Sequence, residues 1–195
     1  MADTQPLDVR AAIRARRSIS KFMPEPVPPE ALTRLLAAGI WAPNHHLTEP
    51  WRFVILGPET QRLLAARFGE LKVQKAPTEA AEQRERIRAE NERMFLSLPA
   101  VVAVAALQEG NEQRRREDYA AVCCAVQNVQ LAGWAAGIGM KWSTSPLIRE
   151  PLSYRLLSLD PARFDLIGFL FIGYPAETPT RERRLALDEV IRTSP

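Results

Sequence analysis

The sequence predicts an α+β fold of three layers, in which helices cover both faces of a small mixed sheet. Helical periodicity occupies more of the chain than strand patterns do, and the two alternate irregularly. Two short apolar runs, residues 100–106 and 166–172, are continuous, as in strands that are buried on both faces. A chain of 195 residues with 46% apolar residues can bury one core, so we expect residues 1–195 to form a single domain.

The first third of the chain predicts two helices joined by an extended connector. Apolar residues of segment 7–16 have helical spacing, and this helix ends in a basic cluster. Four prolines between residues 24 and 29 give the connector, and Pro29 suits the first turn of the second helix, which ends at Pro43. The connector and both chain ends are poor in core residues, so we expect them to wrap a second subunit in a homodimer.

The middle of the chain predicts a polar loop at 44–50, a strand at 51–56 and a helix at 59–71. Segment 79–93 is charged almost all round. Opposite charges four residues apart, such as Glu82 with Arg86 and Arg88 with Glu92, favour a helix there. Two interpretations stay open for this segment, a solvated helix or a mobile arm or lid near a site.

The remaining elements follow from apolar runs and their turn residues. Segment 118–136 is apolar nearly all round and predicts a buried helix. Segment 139–142 is long enough only for an edge strand or a turn, and 147–157 predicts a helix before the last strand. The tail has a basic cluster of Arg181, Arg183 and Arg184, followed by a weakly amphipathic stretch.

Composition excludes several classes of protein. A net charge of +3 is too small to indicate nucleic-acid binding by itself, although it suits a phosphate-bearing ligand. The longest apolar stretch, 119–138, contains three amide side chains and does not predict a membrane span. Cys123 and Cys124 are expected to be buried in a reducing compartment, and no zinc-type cluster accompanies the histidines. Since the N-terminus lacks a signal-peptide pattern, we expect a cytoplasmic protein.

The most informative local motif is Arg16-Arg17-Ser18, at a helix-to-loop junction. Arginine binds phosphate through two parallel hydrogen bonds, and a hydroxyl adds a neutral donor. The alternative is a basic helix end that complements the helix dipole. The second basic cluster, in the tail, makes a phosphate pocket more plausible. His45 and His46 in the polar loop could serve acid–base chemistry or be ordinary loop histidines.

Taken in order, these motifs resemble the FMN-dependent nitroreductase family, in a small, short-chain branch. The opening half is carried by Arg-Arg-Ser-Ile-Ser-Lys-Phe at 16–22, Ala-Pro at 42–43 and Pro-Trp-Arg-Phe-Val at 50–54. The closing half is carried by Gly-Ile-Gly at 137–139, Ile-Gly-Tyr-Pro at 172–175 and the basic tail. The loop departs from the family pattern, since Leu47 and Glu49 stand where the family usually has Asn and Gln.

The resemblance implies a three-layer α/β/α nitroreductase-like fold with a mostly antiparallel sheet, in a domain-swapped homodimer with flavin sites at the subunit interface. It implies FMN as cofactor and NADH or NADPH as co-substrate. The phosphate and ribityl end would be held by Arg16, Arg17, Ser18 and either Arg183 or Arg184. The ring would be lined by Trp142, Ser143 and Thr144, and by Pro43, Asn44 and His45 of the partner subunit.

The function that the resemblance implies is transfer of electrons from NAD(P)H to a small acceptor such as a nitroaromatic or quinone. The flavin carries the redox chemistry, so no catalytic side chain is certain. His45 and His46 are candidates for the substrate side, and no metal is expected. Two alternatives remain open: other flavin chemistry, namely reductive dehalogenation or ring dehydrogenation, and a flavin-binding regulatory module without turnover. Neither nucleic acid nor membrane is an expected partner.

Overall fold

The central sheet has the strand order β1-β2-β4-β3, with β1 at Trp51–Ile55, β2 at Ala100–Leu107, β3 at Gly139–Ser143 and β4 at Phe164–Gly173. The structure is a computed structural model that describes residues 8–180 and 184–194. Neighbouring strands pair antiparallel throughout. An isolated bridge between Ser18 and Met140 is parallel. The predicted mixed, mostly antiparallel sheet is therefore confirmed.

The helices surround this sheet. Within the described residues they are α1 at Val9–Ala15, α2 at Pro29–Gly39, α3 at Pro58–Gln74, α4 at Ala81–Leu96, α5 at Glu112–Ala135, α6 at Pro151–Leu156 and α7 at Leu187–Val190. Short 3-10 turns lie at His45–Leu47 and Pro146–Arg149.

Strand β2 shows why the fold has three layers. Its even-numbered residues, such as Val102 and Val104, face a core shared with α2 and α5. Its odd-numbered residues, such as Val101 and Ala103, face a second core shared with α3 and the end of α4. Because side chains alternate across a strand, a continuous apolar run is what two covered faces require. The predicted α/β/α layering is confirmed.

Two elements, α5 and the helix expected at 147–157, differ from the prediction, whereas the edge-strand alternative for 139–142 is confirmed. Helix α5 begins at Glu112, six residues before the expected start, because the Asn111 side chain caps it by accepting from the Arg114 amide at 2.9 Å. Its first turns are charged, so apolar periodicity does not reveal them. The single helix expected at 147–157 is split into a 3-10 turn and α6, with Pro151 at the first position of α6. Segment 139–143 is a true edge strand.

The charged segment is helix α4, and its solvated face is confirmed. Phe95 is the one residue of this helix that is buried in the described structure. Arg88 pairs with Glu92 as predicted, at 2.9 Å, whereas the Arg86 guanidinium faces Glu90 instead of Glu82. The expectation that both cysteines are buried is wrong, because Cys124 is exposed and Cys123 is half-buried on α5. None of the described helices is long and apolar enough to cross a bilayer.

Candidate functional site

The segment that carries Arg16 and Ser18 lies extended along the edge of the sheet. The Ile19 amide donates to the Met140 carbonyl of β3 at 3.0 Å, and the Met23 amide donates to the Tyr174 carbonyl at 2.8 Å. The Ile19 side chain is fully buried. Because side chains alternate along extended backbone, Arg16, Ser18 and Ser20 share the opposite side of the segment. The motif therefore presents a row of polar groups away from the core.

That row leads into a cavity of about 360 Å³ that Ser20 lines. Its volume falls within the range of about 300–1,000 Å³ that ligand pockets occupy. The cavity lies between the end of β3 and the packed pair of helices α3 and α4. Its lining residues are Ser20, Phe68, Lys72, Asn91, Met94, Leu98, Lys141, Trp142, Ser143, Thr144, Ser145 and Phe171.

Arg16 and one arginine of the tail, far apart in sequence, lie within electrostatic range of each other. Partial burial lowers the pKa of the Arg16 guanidinium, and the nearby positive charges of Arg17 and Arg184 lower it further. Like charges are unfavourable neighbours unless an anion compensates them. Of the predicted tail arginines, Arg184 acts electrostatically on Arg16, and Arg183 lies outside the described residues.

Arg17 takes a different position from Arg16. Its guanidinium donates to the carbonyl oxygens of Arg14 at 2.6 Å and of Arg16 at 3.0 Å. These carbonyls lie at the C-terminal end of α1, where a cation complements the helix dipole. The helix-end interpretation therefore describes Arg17 in this chain, and its predicted phosphate contact stays a prediction.

The predicted ring-lining segment, Trp142-Ser143-Thr144, does line the cavity. The Trp142 indole donates from Nε1 to the Ile167 carbonyl oxygen at 3.3 Å. It lies directly over Gly168 of β4, where any Cβ would collide with the indole nitrogen. The absence of a side chain at Gly168 therefore sets where the Trp142 ring lies, packed against the core that β2 shares with α2 and α5.

One polar atom in the cavity has no bond. The Ser145 hydroxyl oxygen is buried and has no hydrogen-bond partner within the described structure. Buried polar groups are nearly always paired, so an exception calls for an explanation. The structure offers no partner for this oxygen among the described residues.

Sequence reasoning missed the cavity residues that come from α3, α4 and the start of β3. Lys72 lies over the Phe68 ring, with Nζ 4.9 Å from the ring centroid, and Lys141 adds a second positive charge. Asn91 and Met94 come from the charged helix. Helix α4 therefore borders the cavity. The lid interpretation of this segment also places it near a site. Only the pairing of α3 with α4 brings these residues to one place, and no local pattern marks them.

The loop residues Pro43, Asn44 and His45 do not line this cavity in their own chain. The loop packs instead against the start of α5, where the His45 ring nitrogen Nδ1 lies 2.9 Å from a carboxylate oxygen of Glu117. That hydrogen bond lowers the pKa of the Glu117 carboxyl, with a further contribution from Gln113. The His45 and His46 rings stack at 3.9 Å between centroids. In the described part of the chain, no cluster of three or more His, Cys, Asp or Glu residues could hold a metal.

The fold and this cavity together define a class of three-layer α/β/α proteins in which a pocket of ligand-binding size lies along an edge strand. The chain belongs to the nitroreductase family, whose family model matches residues 13–174. It is similar to the Bacillus subtilis protein named "Putative NAD(P)H nitroreductase YfhC", with 34% identity over 90% of this chain and 89% of that one.

Two solved structures support the same assignment. A nitroreductase-like family protein from Bacillus cereus has a TM-score of 0.82 and 30% identity, and covers 99% of both chains. A Desulfovibrio desulfuricans nitroreductase, crystallised in complex with FMN, has a TM-score of 0.71 and 27% identity, and covers 96% of both chains. The family and fold predicted from the sequence are therefore confirmed.

Proposed function

We propose that this protein is an FMN-dependent oxidoreductase that takes electrons from NADH or NADPH and passes them to a small acceptor such as a nitroaromatic or quinone. The observation that carries this proposal is a cavity lined by Phe68 and Phe171 that Ser20 of the Arg16-Arg17-Ser18 segment reaches, with Arg184 within electrostatic range of Arg16. A doubly charged phosphate would relieve their mutual repulsion. The neighbouring cavity would then receive the rest of a phosphorylated aromatic molecule.

The residues present fit FMN. Arg16, Arg184 and the Ser18 hydroxyl would hold the phosphate through charge-assisted hydrogen bonds. Phe68 and Phe171 offer apolar surface to a flat ring, and Ser143 and Thr144 add polar groups to the same cavity. The solved Desulfovibrio relative holds FMN, which supports the same cofactor here.

When bound, FMN supplies the hydride and electron transfer of the reaction. The chain's contribution is placement and electrostatics. The ammonium groups of Lys72 and Lys141 put two positive charges in the cavity, and positive charge there favours negative charge on a bound ring. Ser143 and Thr144 add hydroxyl groups at the same wall.

We propose that a second subunit completes the site with Pro43, Asn44 and His45. The neighbouring apolar side chains support this, because Trp41 is 83% exposed and Leu47 is 82% exposed in a single chain. Apolar residues at both chain ends, including Val9 and Leu187, are also mostly exposed. A second subunit that packs on these segments would remove the large Trp41 and Leu47 side chains from water.

The first test is whether the purified protein binds FMN and oxidises NAD(P)H. We expect a yellow protein whose flavin is released by acid as FMN. Under anaerobic conditions, NADH or NADPH should bleach the flavin band, and addition of a nitroaromatic or quinone should restore it. These expectations follow from the anion-binding end and the aromatic cavity.

The outcomes separate the alternatives. A protein that stays colourless after incubation with FMN contradicts the proposal entirely. Bound FMN that neither NADH nor NADPH reduces favours a regulatory module. Reduction followed by reoxidation only with a halogenated aromatic, or with an oxidisable ring system, favours one of the other flavin reactions.

We expect the dimer to be obligate, with an interface above about 2,000 Å². The apparent melting temperature should then rise with protomer concentration, because association stabilises the folded state by mass action. Melting curves over a dilution series measure this dependence. Analytical ultracentrifugation over the same series measures dissociation of the dimer, with Trp41→Ala as the weakened variant. Ile55→Ala, which alters an exposed aliphatic residue outside these segments, is the control. A flavin-loaded, active monomer would refute the shared site.

A further inference from the structure

The loop at 44–50 has an unfavourable backbone shape. His46, Leu47 and Glu49 have φ values of 57°, 51° and 44°, in the left-handed region. A residue with a Cβ is rarely found there, because the side chain crowds its own carbonyl. Strain of this kind persists only where surrounding contacts determine the conformation, and it concentrates at functional sites. Something outside the loop must therefore hold it.

Two adjacent carboxylates of α5 make that contact. The Thr48 hydroxyl donates to Oδ1 of Asp118 at 2.5 Å, and His45 meets Glu117 at the loop's other end. The two contacts are not equivalent. The His45 and Glu117 side chains are 61% and 32% exposed, so water competes for their bond. Asp118 is only 2% exposed, so its short bond to Thr48 is shielded from solvent.

Burial of the Asp118 carboxyl group at this position is energetically unfavourable. Its second oxygen, Oδ2, is buried and has no hydrogen-bond partner within the described structure. A half-satisfied buried carboxylate is a poor device for stability, because the desolvation of its free oxygen is not compensated. The contact that it does make ends on the strained loop. Its role is therefore better explained by the loop's shape than by the core's stability.

We propose that Asp118 is a positioning residue that holds loop 44–50, through Thr48, in the shape that presents Asn44 and His45 to the partner's flavin site. The loop's role at the flavin site rests on the proposed function. The contact between Thr48 and Asp118 is present in the single chain and does not depend on that function. Within the loop, the Glu49 amide donates to the Asn44 side-chain oxygen at 2.9 Å. That bond links the held part of the loop to Asn44, and its amide reports whether the shape is kept.

The experiment compares Thr48→Val, which removes only the hydroxyl, with Thr48→Ser, which keeps it. Thr33→Val is the matched control, because its exposed hydroxyl bonds only its own helix carbonyl. Hydrogen exchange of the Glu49 amide is measured on the flavin-free protein. We expect Thr48→Val to accelerate this exchange about tenfold or more, as loss of a hydrogen bond to a charged group implies, and Thr48→Ser to restore it.

Kinetics of the FMN-loaded protein give the second readout. Thr48→Val should raise the KM for the acceptor more than it lowers kcat, whereas Thr33→Val should change neither. Asp118→Asn tests the other partner, and its effect should not add to that of Thr48→Val if the two act as one unit. Unchanged Glu49 exchange in Thr48→Val would overturn the proposal. Since exchange is measured without flavin, failure of the proposed function would leave this test intact.

Discussion

Replacing Arg16 with alanine is expected to weaken FMN binding by about ten- to a hundred-fold, since a hydrogen bond to a charged group contributes roughly 1.5–3 kcal/mol. The flavin-free protein should lose little stability. Partial burial and then the like charges of Arg17 and Arg184 lower the pKa of Arg16, so its removal relieves both costs while it removes some packing. We expect the free energy of unfolding to change by about 0.5 kcal/mol or less. Fluorescence titration with FMN and flavin-free melting measure the two effects.

Two further variants sharpen this test. Arg16→Lys should recover only part of the affinity, because an ammonium group cannot make the two parallel hydrogen bonds of a guanidinium. Arg10→Ala, which removes an exposed arginine from the same helix, is the matched control. If Arg16 only completes the end of α1, FMN affinity will not change and both forms will melt slightly earlier. That result would remove Arg16 from the site.

Replacing Phe95 with alanine is expected to cost about 3–5 kcal/mol of stability, as for other large buried aromatic residues. Phe95 is fully buried at the end of α4. Its ring lies 5.5 Å from that of Phe68 and 5.6 Å from that of Phe171, in an edge-on contact with the latter. Both neighbours line the cavity that we propose to hold FMN. The variant should therefore weaken FMN binding as well, because the wall behind the cavity loses its support.

Urea unfolding at one fixed protomer concentration measures the loss of stability, and flavin titration measures the loss of affinity. Leu96→Ala alters the next residue on the same helix, which is 45% exposed, and should change stability by about 0.5 kcal/mol. The loss of stability in Phe95→Leu should lie between the losses in Phe95→Ala and Leu96→Ala. A loss below about 1 kcal/mol in Phe95→Ala would mean that α3 and α4 close over the vacated space. The cavity wall would then not depend on this ring.

Much of the fold could be predicted because each local pattern records how its segment is buried. The continuous apolar runs of β2 and β4 reflect two covered sheet faces, and Leu32 and Leu35 reflect the one buried face of α2. Predictions failed where a boundary depends on a single side chain. The Asn111 cap lies among charged residues, and Pro151 breaks a stretch whose apolar spacing is otherwise helical.

The residues of the candidate site also fall into those that the sequence predicts and those that it does not. Arg16, Ser18 and the segment 142–144 stand in short motifs, so the sequence names them. Lys72 and Asn91 are single polar residues on two long helices, where many similar residues face solvent. Nothing local distinguishes them, since their position in the cavity depends on the way α3 packs against α4.

The sequence by itself determined the layers, the family and the position of the basic motif at 16–18, because hydrophobic periodicity and contiguous motifs are local properties of a chain. Only the tertiary structure decided which charges share one place. It brings Arg184 from the tail to Arg16, turns Arg17 back onto its own helix and sets two carboxylates of α5 against the strained loop. Distances between residues remote in sequence depend on how buried faces pack together, and no single segment contains that information.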